Sequence, residues 1–518
     1  MRPIRPAARR PRAAVAAAAV LVAGGLAVTV ASPASAATFT VDSGADAVDA
    51  DPGDGTCETA AGECTLRAAV QQAQASGGPD TIVFADGVTS VTLTIAPAGE
   101  AADGSDDAAT GDLDLDDVTI DGDGVSISNG DVADRLFHVE PGGTARLIGL
   151  ELLGGTAPGA GSASGGGSGG AVLNAGSLTV ENGRIADSTA VRAGGGIEAS
   201  AGSETTVVGT LFEGNSTGTS PGNGGGIHIT GGGTVTVEDS EFLANTAANE
   251  GGGVWNSAAA TMTVIGSVFE GNVAAGAPAE SGGGGLFNDG GTLVVEDSAV
   301  EGNSATGAAG SGGGVLNQGT LRMSGTAVVG NEAVRAGGGV ESAPGGSGST
   351  PTTETVTELD DVLLEGNTAG DAPGNGGGFH QTGAGTVSVT GSVVTGNSAA
   401  AEGGGLWNSA AATMTVRDTD VSDNVAEGTE ASNGGGGIYT DGGRVDVVGG
   451  SITGNTAVEG SGSGGGVLNV GGEVTLTGTS VTGNRAARAG GGIEAAGGAD
   501  GGDSATTLTG IVLAGNET

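Results

Sequence analysis

The sequence contains no lysine and very little aromatic character. Its 16 basic residues face 60 acidic ones, so the formal net charge is −44. A surface of this sign repels nucleic acid and anionic membranes, and we expect neither as a partner. Aromatic residues make up 2% of the chain, whereas sugar-binding clefts usually offer aromatic platforms. The acidity fits a solvated surface that keeps the protein soluble, and it also suits divalent cations, cationic partners or high salt.

Residues 1–37 have the pattern of an export signal. Five arginines occur in the first twelve residues, an Ala/Val/Leu run follows, and Ala34, Ser35 and Ala36 form a small-residue cleavage site. The run is too short and too rich in alanine for a permanent membrane span, and no second apolar segment follows. We therefore predict an extracellular protein, secreted or on the cell surface, without a transmembrane segment. The mature chain would keep 11 basic and 60 acidic residues, a formal charge of about −49.

The only two cysteines are Cys57 and Cys64, and in an exported chain we predict that they form a disulfide. The acidic residues Asp49, Asp51 and Asp54 alternate with other residues just before them, in a glycine-containing turn. Carboxylates at this spacing indicate a calcium site, and calcium is the one cofactor that the sequence proposes. Solvated acids are the alternative, because the distal bidentate glutamate of a full calcium loop is missing.

Glycine, by contrast, is abundant, with 111 residues, and much of it is periodic. A glycine run followed by one apolar residue recurs at intervals of 25 to 39 residues, and a short apolar segment closing in asparagine keeps step with it. A period of this size predicts a solenoid of stacked coils. The glycine marks end at Val172, Ile197, Ile227, Val254, Leu286, Val315, Val340, Phe379, Leu406, Ile438, Val467 and Ile493. The asparagine marks are Asn215, Asn245, Asn272, Asn303, Asn331, Asn367, Asn397, Asn424, Asn455, Asn484 and Asn516.

One repeat unit, residues 231–245, shows the local pattern. Residues 234–237 alternate threonine and valine, which predicts a strand with one buried face. Asp239 and Ser240 predict a corner, and Phe242 begins a second short strand. We expect the glycines to allow tight corners at positive φ. We also expect the asparagine amides to hydrogen-bond along the stack as a ladder, with Ser188 in the asparagine position of the first coil.

A larger period of five coils lies over the small one. Val172, Val315 and Val467 begin the same Val-Leu-Asn sequence, 143 and 152 residues apart. His228 and Trp255 recur 152 residues later, as His380 and Trp407. The regular repeats at 169–518 therefore consist of a five-coil block, its copy and a truncated third copy. Because most distinctive residues occur two or three times, we predict no catalytic residue.

The N-terminal part of the mature chain differs from these repeats. Residues 38–41 predict a strand, and residues 66–73 predict one short helix with Thr65 as its N-cap. We interpret 38–96 as a cap that covers the apolar end of the stack. Residues 97–168 comprise an acidic loop and the first irregular coils.

Residues 64–69, Cys-Thr-Leu-Arg-Ala-Ala, with Asp-Pro-Gly-Asp-Gly before them, resemble the N-terminal segment of the CSLREA exported bacterial proteins. Thr65 stands where that family has serine, and Ala68 stands where it has glutamate. The Gly-Gly-Ala-Val at 169–172 and the Phe-x-x-Asn marks resemble the repeats of chlamydial polymorphic outer-membrane proteins. The resemblance implies a right-handed parallel β-helix of the pectate-lyase-like type, within an all-β chain. It implies no catalytic motif, and through the chlamydial proteins it implies adhesion.

Four further patterns were weighed. Asp112, Asp114 and Asp116 repeat the alternation of acids, and a calcium site there is a weaker prediction than solvated acids. His138 is the one unrepeated histidine and is interpreted as structural. The third is a set of three arginines in equivalent coils, none of which stands out as a base: Arg192, Arg335 and Arg488. The fourth is a row of outward threonines, as in ice-binding solenoids, interrupted by charged residues.

The sequence thus favours a non-enzymatic, secreted or cell-surface structural protein that presents a repeated face for adhesion to surface glycans or proteins. The alternative is a carbohydrate-active β-helix enzyme, either a lyase or a glycoside hydrolase, which would need a cluster of carboxylates with a basic residue or a pair of acids.

Overall fold

The computed structural model describes residues 36–97, 108–159, 166–345, 353–370, 373–498 and 502–518. The chain divides into two units, residues 1–34 and 35–518, and the described residues all lie in the second. Most of the predicted signal, most of the acidic loop at 97–110 and the middle of the Gly/Ser-rich segment at 154–168 lie outside the described residues.

The chain winds into coils, and each regular coil carries four short strands. Equivalent strands of successive coils pair in parallel, which gives four long sheets in the described residues, here numbered 1 to 4 in the order in which a coil visits them. The predicted all-β fold, a parallel β-helix with one short helix, is confirmed. Its core is a continuous column of apolar side chains inside the coils, which no single coil could bury alone.

The strands of sheet 1 are Leu113–Leu115, Phe137–Val139, Val172–Asn174, Ile197–Ala199, Ile227–Ile229, Val254–Asn256, Leu286–Asn288, Val315–Asn317, Val340–Ser342, Phe379–Gln381, Leu406–Asn408, Ile438–Asp441, Val467–Val470 and Ile493–Ala496. The strands of sheet 2 are Thr38–Val41, Asp80–Phe84, Val118–Asp121, Thr144–Ile148, Ser177–Glu181, Glu204–Val208, Gly233–Glu238, Ala260–Ile265, Thr292–Glu296, Thr320–Ser324, Thr355–Asp360, Gly385–Thr390, Ala412–Arg417, Arg444–Val448, Glu473–Thr477 and Ala505–Thr509.

The strands of sheet 3 are Ser90–Leu93, Ser126–Asn129, Glu151–Leu153, Arg184–Ala186, Leu211–Glu213, Glu241–Leu243, Val268–Glu270, Ala299–Glu301, Ala327–Val329, Leu363–Glu365, Val393–Thr395, Asp420–Ser422, Ser451–Thr453, Ser480–Thr482 and Val512–Ala514. The strands of sheet 4 are Thr156–Ala157, Thr189–Ala190, Ser216–Thr217, Thr246–Ala247, Val273–Ala274, Ser304–Ala305, Glu332–Ala333, Thr368–Ala369, Ser398–Ala399, Val425–Ala426, Thr456–Ala457 and Arg485–Ala486.

The alternation of apolar and polar residues predicts the strands of sheets 2 and 3 but not those of sheets 1 and 4. The strands of sheet 2 alternate buried and exposed residues, as in Ala260–Ile265, where Met262 and Val264 face the core. The strands of sheet 1 are mostly three residues long with every residue buried, and those of sheet 4 have two residues. Strands this short show no alternation: the glycine runs mark where most sheet 1 strands begin, and the pairing between coils identifies those of sheet 4.

The glycine triplets serve two steric purposes. The first glycine, such as Gly224 with φ of +65°, takes the left-handed conformation. A Cβ atom on the second glycine, Gly225, would overlap the carbonyl oxygen of Gly252 in the next coil. On the third, Gly226, it would lie 2.7 Å from the carbonyl oxygen of Gly253. The triplet thus combines a tight turn with a close approach between coils.

The asparagines form a continuous ladder of buried amides. Nδ2 of Asn245 donates to the carbonyl of Phe212 and to Oδ1 of Asn272, at 3.0 and 2.9 Å, and Asn272 repeats the pattern one coil on. The same bond joins each asparagine from Asn215 to Asn516 to the next one. The left-handed residue is the one before the asparagine, such as Ala244 with φ of +51°. The asparagine side chain therefore bonds between coils, while its neighbour makes the turn.

A second ladder follows the ends of the sheet 1 strands. Nδ2 of Asn256 donates to Oδ1 of Asn288, and Nδ2 of Asn288 donates to Oδ1 of Asn317, both at 2.8 Å. Asn317 continues the ladder to the hydroxyl of Ser342 at 3.2 Å. In the sequence, Asn317 is recognisable only as part of the repeated Val-Leu-Asn segment, and no pattern predicted this second ladder.

The N-terminal segment, which the sequence predicts as a cap, extends the stack. Residues 38–41 and 80–84 are the first two strands of sheet 2. The helix Leu66–Ser76 begins at the N-cap Thr65, whose hydroxyl accepts from the amide of Ala68, and it is the one helix of the described residues. Cys57 and Cys64 are joined by a disulfide. No helix in this described region has the length and apolarity to cross a membrane.

Arg67 connects the N-terminal segment to the first coils by an ion pair and hydrogen bonds. Its guanidinium is fully buried, and Nε lies 2.6 Å from Oδ1 of Asp46. The two terminal nitrogens donate to the carbonyl oxygens of Ala108 and Gly111, both at 2.8 Å. One helix residue thus links the cap loop to the segment that leads into sheet 1.

Candidate functional site

The central residue of each sheet 1 strand points away from the core, and these residues stack into one line, here called the outer column. Its members are paired in register from coil to coil. They are Asp114, His138, Leu173, Glu198, His228, Trp255, Phe287, Leu316, Glu341, His380, Trp407, Tyr439, Leu468 and Glu494. All but Glu494 are buried. The order Leu, Glu, His, Trp and then Phe or Tyr repeats along the outer column, and each repeat corresponds to one five-coil block.

All three histidines of the protein lie in this column, and each contacts the carboxylate of the coil before it. Nδ1 of His138 lies 2.9 Å from Oδ1 of Asp114, and Nδ1 of His228 lies 2.9 Å from Oε2 of Glu198. Nδ1 of His380 lies 2.7 Å from Oε2 of Glu341. The column therefore contains three buried carboxylate–imidazole pairs.

The residue two positions after each histidine also lies beside its carboxylate–imidazole pair. It is threonine in two of the pairs and glutamate in the third. Thr230 donates its hydroxyl to Oε1 of Glu198 at 2.6 Å. Thr382 makes the same bond to Glu341, also at 2.6 Å. After His138 the position holds Glu140, whose Oε1 lies 3.9 Å from Nδ1 of the histidine.

The first pair thus has two carboxylates converging on one imidazole. Within the described residues, Asp114, His138 and Glu140 are the one group of three potential metal ligands whose ligand atoms all lie within 4.8 Å of one another. Asp114 and His138 are almost wholly buried, while the side chain of Glu140 is 22% exposed. From the sequence, Asp114 is a possible calcium ligand and His138 a structural residue, and no pattern predicts that the two lie together.

Neighbouring charges surround this first pair. The guanidinium of Arg135 lies 3.2 Å from Oδ2 of Asp112, and both side chains are buried. Burial raises the pKa of Asp112 to about 8, although the charge of Arg135 opposes the shift. Burial also raises the pKa of Asp116. These aspartates are therefore not a row of solvated acids, since Asp112 and Asp114 lie inside the structure.

Aromatic rings continue the column beyond each of the other two histidines. The rings of His228 and Trp255 stack with centroids 4.3 Å apart, and Phe287 follows at 6.1 Å. In the copied block, His380 and Trp407 stack at 4.2 Å. These stacks form two small apolar clusters outside the main core. They close the outer face of sheet 1 against solvent.

Acids from the loops before sheet 1 bind the edges of these rings. The indole N–H of Trp255 donates to Glu250, and that of Trp407 donates to Glu402, both at 3.1 Å. Burial raises the pKa of both glutamates despite these bonds. Tyr439 stacks on Trp407, and burial, with the charge of Glu402, raises the pKa of its hydroxyl.

Glu341 has the opposite shift. Burial pushes its pKa upward, but the positive charge of His380 and the hydrogen bonds it receives outweigh burial and hold the pKa below its usual 4.5. Arg335 contributes as well, at 3.3 Å from Oε1. Of the three arginines in equivalent coils, Arg335 and Arg488 contact the glutamate of their own block, so they serve as counter-ions.

The acidic turn proposed for calcium has other partners. Oδ1 of Asp49 accepts from the amide of Asp51 at 2.8 Å, and Oδ2 accepts from the amide of Glu58 at 3.2 Å. Oδ1 of Asp54 accepts from the amide of Thr56 at 2.7 Å. These bonds shape the turn, and calcium at Asp49, Asp51 and Asp54 stays a prediction.

The outward threonines of sheet 2 fall into two columns rather than one. Thr261 is in register with Thr292, whereas Thr263 pairs with Val294. Arg444 lies in the first column and Arg322 in the second. The arginines pair with acids, as Arg322 does with Glu358 at 2.9 Å. Charged pairs thus interrupt both rows.

An open groove of about 540 Å³ lies beside the first strands of sheet 3. Its lining includes Asp123, Glu151 and Arg184. Arg184 also bonds Glu213 at 2.7 Å. The lining of this groove thus includes two acids and one arginine, which are residue types that a sugar-active site uses.

One comparison with known proteins, that with a family model, supports the fold. The sequence model of the family described as "Right handed beta helix region" matches residues 162–333, and the β-helix is right-handed accordingly. A search of curated proteins gave no match. Among solved structures, the periplasmic alginate epimerase AlgG is similar to this chain, with 9% sequence identity and a TM-score of 0.35. The alignment covers 73% of this chain and 76% of the AlgG chain.

A second similar structure is tailspike protein 3 of bacteriophage CBA120. It is 12% identical, with a TM-score of 0.39, and the alignment covers 89% of this chain and 60% of the tailspike chain. The chain therefore spans about three-fifths of the tailspike's length. At this level of likeness the two structures support no functional argument.

Proposed function

We propose that the protein is an exported, non-enzymatic β-helix that presents a repeated acidic face for adhesion to surface glycans or proteins. The single observation that carries the proposal is the regular row of exposed acids at the corner between sheets 2 and 3. There, Asp239, Asp297, Asp361 and Asp418 stand on every second coil, and we call this row the Asp column.

The spacing of the Asp column follows from its backbone. Asp239 has φ of +48°, and the intervening coil holds Gly266 with φ of +57°. A Cβ atom on Gly266 would lie 2.6 Å from Oδ1 of Asp239, so the glycine leaves room for the carboxylate of the coil before it. Alternation of aspartate and glycine places the carboxylates two coils apart, roughly 10 Å.

Further exposed acids flank the Asp column. Glu296 precedes Asp297 and Asp360 precedes Asp361, and both are exposed. Glu270 and Glu301 lie in register on the adjoining strands of sheet 3. A ligand that contacts several coils would meet the same carboxylate pattern each time, so weak contacts would add through multivalency. Basic proteins, or glycans bridged by divalent cations, have the complementary charge.

The proposal is tested by coating beads with residues 38–518 and measuring their retention on neutral, anionic and cationic glycans and on a basic protein, with and without calcium. Neutralising three of the four members of the Asp column in D239N/D297N/D361N should reduce retention several-fold. The matched control E204Q/E332Q/E430Q removes the same charge from exposed positions elsewhere. Equal loss in both variants would show that only net charge matters, and unchanged retention in D239N/D297N/D361N would refute the role of the column.

The groove beside sheet 3 favours the second candidate, a carbohydrate-active enzyme, because Asp123 and Glu151 line it together with Arg184. The same glycans should therefore be examined for reducing ends and unsaturated products. Turnover that disappears in E151Q would establish this alternative and overturn the non-enzymatic proposal. Export itself is tested by asking whether residues 1–37 direct a reporter out of the cell and are removed.

A further inference from the structure

The three carboxylate–imidazole pairs of the outer column provide an internal comparison. Two of them, at His228 and His380, are completed by a threonine hydroxyl that donates to the glutamate. In each of these pairs, a threonine hydroxyl and an imidazole both contact the same carboxylate. The buried carboxylate thus has a partner besides the ring.

The pair at His138 is different because a second acid replaces the donor. Glu140 stands where the other two pairs have threonine, and its Oε1 lies 3.9 Å from Nδ1 of His138. Two carboxylates and one imidazole therefore converge here, which is a ligand set that a metal cation can occupy.

The separations of the ligand atoms from Nδ1 of His138 can be compared with those around a metal ion. In tetrahedral coordination with bonds of about 2.0–2.1 Å, neighbouring ligand atoms lie roughly 3.3 Å apart. The observed distances from Nδ1 of His138, 2.9 Å to Asp114 and 3.9 Å to Glu140, lie on either side of this value. Because Glu140 is partly exposed, a path from solvent reaches the site, and water would fill the remaining position.

We propose that Asp114, His138 and Glu140 bind a divalent transition-metal ion, with Zn²⁺ as the representative. One imidazole and two carboxylates favour such an ion over Ca²⁺ or Mg²⁺, which prefer oxygen ligands alone. The metal takes the place of the proton on Nδ1 of His138, so binding weakens as the pH falls.

The position of the site indicates its purpose. Asp114 and His138 lie on the first two strands of sheet 1, which are joined in register, and Glu140 directly follows the second strand. The cap helix reaches the same strand, where Nε2 of Gln74 donates to the carbonyl of Asp114 at 3.0 Å. The amide of Ala108 donates to Oδ2 of Asp114 at 3.3 Å. A bound ion would hold together the cap, its following loop and the first two coils.

The test is calorimetric titration of Zn²⁺ into metal-stripped residues 38–518 at about 0.15 M salt, which screens weak binding to exposed acids. We expect one tight site that excess Ca²⁺ does not displace. E140T recreates the arrangement at Thr230 and Thr382, so it should fold normally and bind Zn²⁺ at least roughly tenfold more weakly. H138Q should lose the site. H228Q, which alters the equivalent histidine of a pair that contains threonine, should still bind Zn²⁺ there.

Co²⁺ provides a readout that does not depend on stability. Its visible absorption should report a nitrogen ligand in the unaltered chain and in H228Q, and this signal should vanish in H138Q. Circular dichroism in chelator would verify that each variant is folded. Tight Zn²⁺ binding that persists in both E140T and H138Q, the absence of a tight site in the unaltered chain, or full displacement by Ca²⁺ would each overturn the proposal.

Discussion

Removing one rung of the long asparagine ladder should destabilise the coils on both sides of it, and Asn272→Ala is the clearest case. Oδ1 of Asn272 accepts from both the backbone amide and Nδ2 of Asn245, each at 2.9 Å. Nδ2 of Asn272 donates to the carbonyl of Phe242 at 2.8 Å and to Oδ1 of Asn303 at 2.9 Å. The substitution therefore removes four hydrogen bonds from a fully buried position.

The expected magnitude depends on which groups lose a partner. In the variant, Nδ2 of Asn245 still donates to the carbonyl of Phe212, and Oδ1 of Asn303 still accepts from the backbone amide of residue 272. The amide of Asn245 and the carbonyl of Phe242 lose their ladder contacts. A buried polar group left without a partner costs about 1–3 kcal/mol, so the two groups together should lower the free energy of unfolding by roughly 2–6 kcal/mol.

Urea unfolding followed by circular dichroism measures the total effect, and hydrogen exchange locates it. The amide of Asn245 should exchange at least about tenfold faster in Asn272→Ala, since 1.4 kcal/mol already corresponds to a factor of ten. Thr261→Ala, an exposed change in the same coil, should stay within about 0.5 kcal/mol of the parent. An unchanged exchange rate at Asn245 would refute the ladder as a source of stability.

Three further predictions concern the glycine triplets, the cap and pH. Gly225→Ala should lower the free energy of unfolding by at least about 1–3 kcal/mol, because its Cβ would strike the carbonyl of the next coil. Arg67→Ala should cost about 3–5 kcal/mol, because it leaves the buried Asp46 without its counter-ion. Glu341 has a lowered pKa beside His380, so its contribution is present above about pH 4.5 and is lost as the pH falls through the lowered value.

Each of these predictions has a matched control measured by the same unfolding curves. Gly232→Ala should be nearly neutral, since its Cβ would have no neighbour nearer than 3.6 Å, and an equal cost at both glycines would contradict the steric account. Arg322→Ala removes an exposed ion pair and should cost less than about 1 kcal/mol. Glu341→Gln should be less stable at neutral pH and should lose part of the acid dependence; an unchanged pH profile would contradict the assignment.

Much of the fold follows from the sequence because its determinants repeat. The glycine marks coincide with the first residues of the sheet 1 strands, from Val172 to Ile493. The alternation of Thr234 to Val237 identifies sheet 2, and Phe242 marks sheet 3. The alternation within the strands and the period of the coils predict the same fold, so each supports the other.

The outer column could not be found in the same way. The acid of each pair precedes its histidine by one coil, which is 24 residues for Asp114 and His138 but 39 for Glu341 and His380. Loops of different length lie between them, so only the register of the sheets brings the side chains together. The repeat of 152 residues did reveal that His228 and His380 are equivalent. An alignment of the coils that also matched Glu198 with its counterpart in the other blocks would have revealed the pairs.

Arg67 was hidden for a related reason. In the sequence it is one polar residue of a short helix, and the partners that bury it, near Asp46 and Gly111, lie 21 and 44 residues away in loops. No periodicity connects these segments. The contact depends on how the cap closes the stack, which the repeat pattern does not specify.

Disulfide trapping between exposed positions of sheet 2 tests most directly whether the coils stack in this register. Thr261 and Thr292 are in register on adjacent strands, about 4.8 Å apart and within reach of a disulfide, whereas Thr261 and Val294 would be about 8 Å apart. Mild oxidation should therefore cross-link T261C/T292C rapidly and T261C/V294C hardly at all. Equal rates, or faster cross-linking of T261C/V294C, would contradict the register on which the ladders, the outer column and the proposed metal site depend.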